Sequence, residues 1–381
     1  MYCKPAEVVM RRQDLEDFST IANHFSPQGR VVDVREFGNG NINRTFLVTM
    51  DNNNNNREDH FILQRINTQV FSRPDLVMRN MRIATAHIQE RLDRSPLGPG
   101  RRWEVPAVLA TRDGSDHWIG TDGSFWRAMS FIDAASFDTI RDTDHAREVG
   151  YALGVFHTLL SDLPAETLSD TLEGFHVTPH YMRHYDEVLA ECGTDGSPDL
   201  QYCLRFVGER RALAPLLENA RAEGRLILRV IHGDPKVNNI MMDTASGQAV
   251  SIIDLDTVKP GLVHYDIGDC LRSGGNPLGE ETEAWEKVRF DIDCCRAILE
   301  GYLQTARKFL TGDDFVYLYE SIRLIAFELG LRFFTDYLEG DVYFKVKGPE
   351  HNLARALVQF RLTRSIEEQE TAIRAIIRDM R

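Results

Sequence analysis

Polar and apolar positions alternate through much of the first third of this chain, whereas later segments repeat their apolar residues every three or four positions. Residues 31–50, VVDVREFGNGNINRTFLVTM, read as strand, turn and strand, because VVDV alternates, FLVTM is apolar and the Gly/Asn-rich stretch between them suits only a turn. Asp51 and the five asparagines after it have no hydrophobic period and predict a mobile loop tip ahead of a strand HFILQRI at 60–66. A helix is expected over 75–92, where Leu76, Met81, Ile83 and Ile88 mix with Arg and Glu. Short strands are expected around 104–111, 116–120 and 125–132. From 144 the period changes: Val149, Leu153, Phe156 and Leu160 lie four, three and four apart, one face of a helix. Further helices are expected near 178–191, 199–221, 281–309, 314–339 and 350–378, with two short apolar strands, LILRVI and AVSIIDL, between 226 and 256. The pattern predicts an α+β protein: a small, mostly antiparallel sheet domain over 1–130 and a larger helical domain over 131–381, with a ligand cleft between them.

Composition narrows the classes. The 381 residues carry 44 Lys+Arg against 58 Asp+Glu, a formal net charge of −14, which disfavours nonspecific nucleic-acid binding. No run of 18 apolar residues occurs and the first residues lack the apolar core of a secretory signal, so neither a membrane span nor a membrane partner is expected. The six cysteines form no C-x-x-C pair, which predicts reduced thiols in a cytoplasmic protein and no zinc site.

The candidate chemistry lies in VIHGDPKVNNIMMD (230–243) and SIIDLDTVKPG (251–261). An apolar strand ends at His232; Asp234 follows in a turn, then Lys236 and Asn239, and a second apolar strand ends at Asp254 and Asp256. An amide oxygen and carboxylates at strand ends suit a hard cation such as Mg²⁺, which relies on substrate phosphates for its remaining ligands. A base to orient a nucleophile, an Asn and an Asp for the metal, and a nearby cation form the set that phosphoryl transfer needs. The order H-x-D-x-K-x-x-N followed by a strand-borne Asp matches the catalytic-loop logic of protein kinases, with HGD for HRD and IDLD for DFG. In the turn 37–46, Gly38 and Gly40 permit close backbone approach, and Asn41, Asn43 and Thr45 add hydrogen-bonding groups, so it is the candidate phosphate-covering loop; a plain hairpin turn is the alternative.

On these motifs the chain resembles the aminoglycoside phosphotransferase and choline kinase superfamily, whose fold is protein-kinase-like and two-lobed. The segments FILQRINTQVF (61–71), GFHVTPHYM (174–182), IDLDTVKPGLVHYDIGD (253–269) and ELGLRFFTDYLEGDVYFKV (328–346) are similar, within it, to the N-acetylhexosamine 1-kinases. The resemblance implies ATP and Mg²⁺ as cofactors, Asp234 as catalytic base, Asn239 and Asp254 on the metal with Asp256 behind them, His232 bracing the loop, and Lys236 at the γ-phosphate.

It also implies a small-molecule sugar as partner, with Arg332, Asp336 and Tyr343 at the substrate; an i,i+4 ion pair between Arg332 and Asp336 beside an ordinary packed tyrosine is the alternative. The third strand of a kinase carries a lysine for the nucleotide phosphates, and here the place falls to Gln64 or Arg65, which point to opposite faces. Glu90 is the candidate ion-pair partner for that position, and backbone groups at 128–132 are expected to contact adenine. The expected activity is phosphorylation of the anomeric hydroxyl of an N-acetylhexosamine. The alternatives are a kinase of choline, an amino alcohol or an aminoglycoside, and a catalytically silent nucleotide-binding module.

Overall fold

A computed structural model describes residues 12–25, 29–38, 42–51, 58–192 and 196–381; the asparagines at 52–56 lie outside them. The chain divides into two compact units, Met1–Met78 with Pro106–Ile132, and Arg79–Val105 with Asp133–Arg381.

The first unit holds helix α1 (Arg12–His24) and a six-stranded sheet of β1 (Arg30–Glu36), β2 (Arg44–Asp51), β3 (Glu58–Ile66), β4 (Val108–Leu109), β5 (Trp118–Ile119) and β6 (Phe125–Ser130). The order is β1-β2-β3-β6-β4, with β5 also on β6, and every pairing is antiparallel. Strand alternation sorts the side chains. Phe46, Val48, Phe61, Leu63, Trp126 and Ala128 form one face and pack with Phe18 and Ala22 of α1 and with Phe25. Losing a ring such as Phe46 from this core would cost about 3–5 kcal/mol. The register puts Thr45, Gln64 and Arg127 opposite one another across β2, β3 and β6, and likewise Leu47, Ile62 and Met129. These two rows occupy the face away from α1.

Helix α2 (Pro74–Arg94) starts in the first unit and continues into the second. The second unit adds α3 (Thr143–Leu160), α4 (Thr178–Glu191), α5 (Pro198–Arg210), α6 (Leu216–Ala222), the short strands β7 (Arg229–Ile231), β8 (Ile240–Met242), β9 (Ala249–Ile252) and β10 (Lys259–Gly261), then α7 (Val263–Gly274), α8 (Ile292–Ala306), α9 (Gly312–Leu338), α10 (His351–Glu368) and α11 (Glu370–Asp379). The strands pair as β7 with β10 and β8 with β9. Helices α3 and α8 touch at backbone distance, because a Cβ on Gly150 would lie 1.9 Å from the Ile298 carbonyl oxygen and one on Gly301 1.9 Å from that of Arg147. Side-chain caps fix helix starts: Asp142 accepts from the His145 amide ahead of α3, and Thr311 with Asp314 forms a capping box on α9.

Several elements differ from the sequence pattern. The expected strands at 104–111 and 116–120 shrink to two residues each. The expected helix at 281–309 begins at Ile292, where Asp291 caps it, and that at 350–378 breaks at Gln369 into α10 and α11. The pattern does not announce α1, β10 or α7. Among the described residues, no helix is long and apolar enough to cross a membrane.

Candidate active site

Strand β7 ends beside β10, with Ile231 opposite Lys259, and delivers His232 into a tight turn. Gly233 takes φ +89°, and a Cβ there would sit 2.8 Å from the Thr257 carbonyl oxygen, so the turn requires glycine. Its backbone is held from two sides. The Asp266 carboxylate accepts from the His232 amide (2.6 Å) and the Gly233 amide (2.8 Å), while the His176 Nε2 lies 2.7 Å from the Gly233 carbonyl oxygen.

Both supports rest on buried pairs. Asp266 Oδ2 lies 2.8 Å from His157 Nε2, and His157 Nδ1 is 3.0 Å from the Tyr302 hydroxyl. Burial pushes the Asp266 pKa up, and His157 with its other donors outweighs burial, so the net shift is downward. His176 Nδ1 lies 2.8 Å from Glu328, whose other oxygen accepts from Thr178 at 2.6 Å. Burial opposes the charged imidazole of His176, and the Glu328 carboxylate more than offsets it, so its pKa is raised. The ring has acceptors at both nitrogens and donates to each as an imidazolium.

His232 is arranged differently. Its Nδ1 accepts from the Asp234 amide (3.2 Å), and its Nε2 donates to the Ile253 carbonyl (2.9 Å). That pattern is the neutral Nε2–H tautomer, and burial lowers the His232 pKa accordingly. The ring thus ties the turn to Ile253, the residue before Asp254. Ile253 in turn donates its amide to the Asn239 carbonyl at 2.9 Å, so Asn239 and Asp254 are adjacent. Asp254 adopts left-handed backbone (φ 66°), a conformation sparsely used by residues other than glycine.

The Asp234 carboxylate lies 2.8 Å from the Lys236 ammonium, and the two side chains are 30% and 31% exposed. Asn239 Nδ2 donates to the Asp234 carbonyl oxygen at 2.7 Å. Burial raises the Asp234 pKa, but Lys236 lowers it by more, and the result is a carboxylate below its ordinary range. For Lys236, burial works against the charge and Asp234 and Asp254 work for it more strongly, so its pKa is raised. Asp256 is buried in a one-turn 3-10 helix, Leu255–Thr257.

The donor set fits a nucleotide-borne Mg²⁺. The Asn239 amide nitrogen is spent on Asp234, which leaves its oxygen for a cation beside Asp254. Among the described residues no group of three or more His, Cys, Asp or Glu could hold a metal by itself. One carboxylate and one amide oxygen completed by phosphates and water are what Mg²⁺ accepts.

On α9, Arg332 and Asp336 do not pair as the four-residue spacing predicts. Asp336 is buried and accepts from the backbone amides of Tyr343 (2.7 Å) and Phe344 (3.0 Å) and from Asn352 Nδ2 (2.8 Å). Its oxygens anchor the strap after α9 and are not turned to a substrate. The Arg332 guanidinium lies over the rings of Phe175, Tyr181 and Phe344 at 5.2, 5.0 and 5.4 Å. It is close enough to Asp234 for that charge to help raise its pKa, after burial lowers it and Tyr181 and Tyr343 act. Tyr343 is exposed on the strap.

In the first unit, Gly38 takes φ +75° with open space around it, whereas Gly40 and Asn41 lie outside the described residues. Asn43 is buried and its side-chain oxygen accepts from the Asn67 amide at 2.9 Å, closing the turn from within. Gln64 and Arg65 part company. Arg65 sits on the α1 side, with its guanidinium 6.0 Å from the Trp126 ring and 3.2 Å from Asp122. Gln64 shares the other face with Thr45 and Arg127. Glu90 pairs with Arg94 one turn along α2.

Sequence reasoning passed over Arg127, His157, His176, Asp266 and Glu328. Three of them, His176, Asp266 and Glu328, lie in the segments GFHVTPHYM, IDLDTVKPGLVHYDIGD and ELGLRFFTDYLEGDVYFKV, which carry the resemblance but gave them no role. The cysteines at 192, 203, 270, 294 and 295 are free thiols.

The model of the APH phosphotransferase enzyme family matches residues 33–298. Among solved structures, the microcompartment-associated aminopropanol kinase superposes with a TM-score of 0.61 at 14% identity, over 94% of this chain and 98% of that one. An aminoglycoside phosphotransferase from Alicyclobacillus acidocaldarius gives 0.58 at 14% identity, over 98% and 97%. Choline kinase from Cryptosporidium parvum gives 0.56 at 13% identity, over 90% and 91%. At such identities the superpositions speak to the fold, an α+β protein-kinase-like one with a small antiparallel sheet and a helical carboxyl part. The family match over 33–298 embraces the sheet, the HGD turn and the Asp254 strand, and the chain belongs to the phosphotransferase enzyme family.

Proposed function

We propose that the chain is an ATP- and Mg²⁺-dependent kinase of a small sugar, transferring the γ-phosphoryl group to the anomeric hydroxyl of an N-acetylhexosamine. The observation that carries the kinase reading is the Asp234 carboxylate paired with Lys236, its backbone carbonyl held by Asn239, one hydrogen-bonded step from Asp254. Asp234 accepts the hydrogen bond of the acceptor hydroxyl and takes its proton as the oxygen attacks phosphorus and the bond to the leaving ADP breaks. Lys236 offsets charge on the transferred group. Asn239 and Asp254 hold Mg²⁺, which when bound neutralises the nucleotide phosphates. Asp234 stays fixed because His176, Asp266 and His232 hold its turn on three sides, so positioning supplies much of the rate.

Charge at Arg332 favours the sugar. The amino-alcohol and choline kinases among the structural neighbours act, by their names, on ammonium-bearing acceptors. Here a guanidinium already lies over the aromatic rings of Phe175, Tyr181 and Phe344, where an ammonium group would otherwise bind, and it repels a second cation. Its donors and the Tyr343 hydroxyl suit the hydroxyl and acetamido oxygens of a neutral sugar. A coupled ADP-release assay with ATP, Mg²⁺ and a panel of N-acetylglucosamine, N-acetylgalactosamine, galactose, choline, aminopropanol and kanamycin tests this. Turnover confined to the N-acetylhexosamines, with phosphate on carbon 1, is expected; turnover with choline or aminopropanol alone discards the sugar and keeps the kinase.

A further inference from the structure

The kinase reading leaves one charge unaccounted for: no lysine occurs between Lys4 and Lys236, so β3 has no amine for the nucleotide phosphates. Arg65 does not supply the charge, since it lies on the α1 face against Asp122. The face away from α1 carries a different arrangement. Gln64 stands directly opposite Arg127 on β6 and Thr45 on β2. Arg127 Nε and Nη2 both reach the Gln64 Oε1, at 2.9 and 2.7 Å, and Gln64 Nε2 lies 3.1 Å from the Thr45 hydroxyl.

The chemistry of these groups fixes their orientation. A guanidinium only donates, so the amide must present its oxygen to Arg127 and its N–H groups to the other side. An amide elsewhere turns over freely; this one cannot without facing donor to donor. Arg127 is 1% exposed and out of reach of a bound ligand, whereas Gln64 is half-buried. Two residues back along β3, about 7 Å at strand rise, the same face is apolar, with Leu47, Ile62 and Met129 in register. The row therefore offers an apolar seat and then amide donors at the spacing of a nucleobase and its phosphates. It begins beside the glycine turn, where the Phe37 amide donates to the Thr45 carbonyl at 2.9 Å.

We propose that Arg127 is a positioning residue for the nucleotide phosphates, holding the Gln64 carboxamide so that the N–H not given to Thr45 faces them, and an amide backed by a buried guanidinium replaces the strand lysine. This rests on the kinase reading. The positive charge has moved one strand over, from β3 to β6, and reaches the phosphates through the amide, which it polarises in a site of low dielectric.

The test is calorimetric binding of ADP and of adenosine to the wild-type chain and two double variants. Gln64→Met with Arg127→Met removes both members of the pair at once, so neither is left facing the other's vacancy. Its expected effect is an ADP affinity lower by about tenfold, with adenosine affinity held within about twofold, since a charge-assisted hydrogen bond is at stake and the base contact is not. Gln64→Lys with Arg127→Met returns the charge to β3 and recovers ADP affinity to within about threefold of wild type. Unchanged ADP affinity in the Met/Met variant, a parallel loss of ADP and adenosine, or no recovery in the Lys/Met variant overturns the inference and leaves the kinase reading intact. Absence of ADP binding by the wild-type chain overturns both.

Discussion

At Asp234 two influences oppose each other: burial disfavours the charge, and the Lys236 ammonium at 2.8 Å favours it more. A carboxylate with a depressed pKa is ionised at neutral and mildly acid pH. Its contribution to stability is therefore present above the unfolded value of about 3.9 and lost only as pH falls through the lower folded value. The kcat profile should accordingly show no acid limb from this group between about pH 5 and 8. Asp234→Asn keeps the shape and removes the base, and kcat should fall by about 10²–10⁴ while ADP affinity holds. A variant retaining a tenth of wild-type turnover would refute the assignment. The spacing of Asp234, Asn239 and Asp254 made them legible in the sequence, because one short turn and one strand end carry all three. His176 and Arg127 were not, since their partners lie 152 and 63 positions away and only folding brings them together.

Among the elements, the strap after α9 is anchored at Tyr343 and Phe344 by one carboxylate. Asp336 gives one oxygen to the Tyr343 amide and the other to Phe344 and Asn352. An asparagine has one acceptor oxygen, so Asp336→Asn leaves a backbone amide unpaired, at a cost of about 1–3 kcal/mol. Because Phe344 packs on Arg332, the acceptor KM should rise several-fold in this variant while ADP affinity is unchanged; initial-rate kinetics and calorimetry check it, and an unchanged KM detaches the strap from the acceptor. The helical period of α9 was visible, but the returning strap was not, and so Asp336 read as a substrate residue, with half of an ion pair as the alternative. Helix α7 was missed although Val263, Ile267, Cys270 and Leu271 recur at helical spacing; its other face, with Asp266, Asp269 and Arg272, is buried as well.

Over the whole molecule, the α+β class was legible because the hydrophobic period itself changes along the chain, whereas the assignment of 79–105 to the helical unit was not, because α2 runs through the division. The excess of acids over bases, net −14, predicts self-repulsion in the compact state. Raising ionic strength from about 10 mM to 150 mM shortens the Debye length from about 30 to 8 Å and should raise Tm by a few degrees; a Tm that falls with salt would mean that its ion pairs outweigh the repulsion. The relocated charge on β6 has a consequence for chemical labelling. Nucleotide reagents that acylate or sulfonylate the strand amine of kinases find none on β3, and Lys236, protonated against Asp234, is a poor nucleophile. A proteome surveyed with such probes would pass this chain by, although on the proposed function it would still take reversible ATP-competitive ligands.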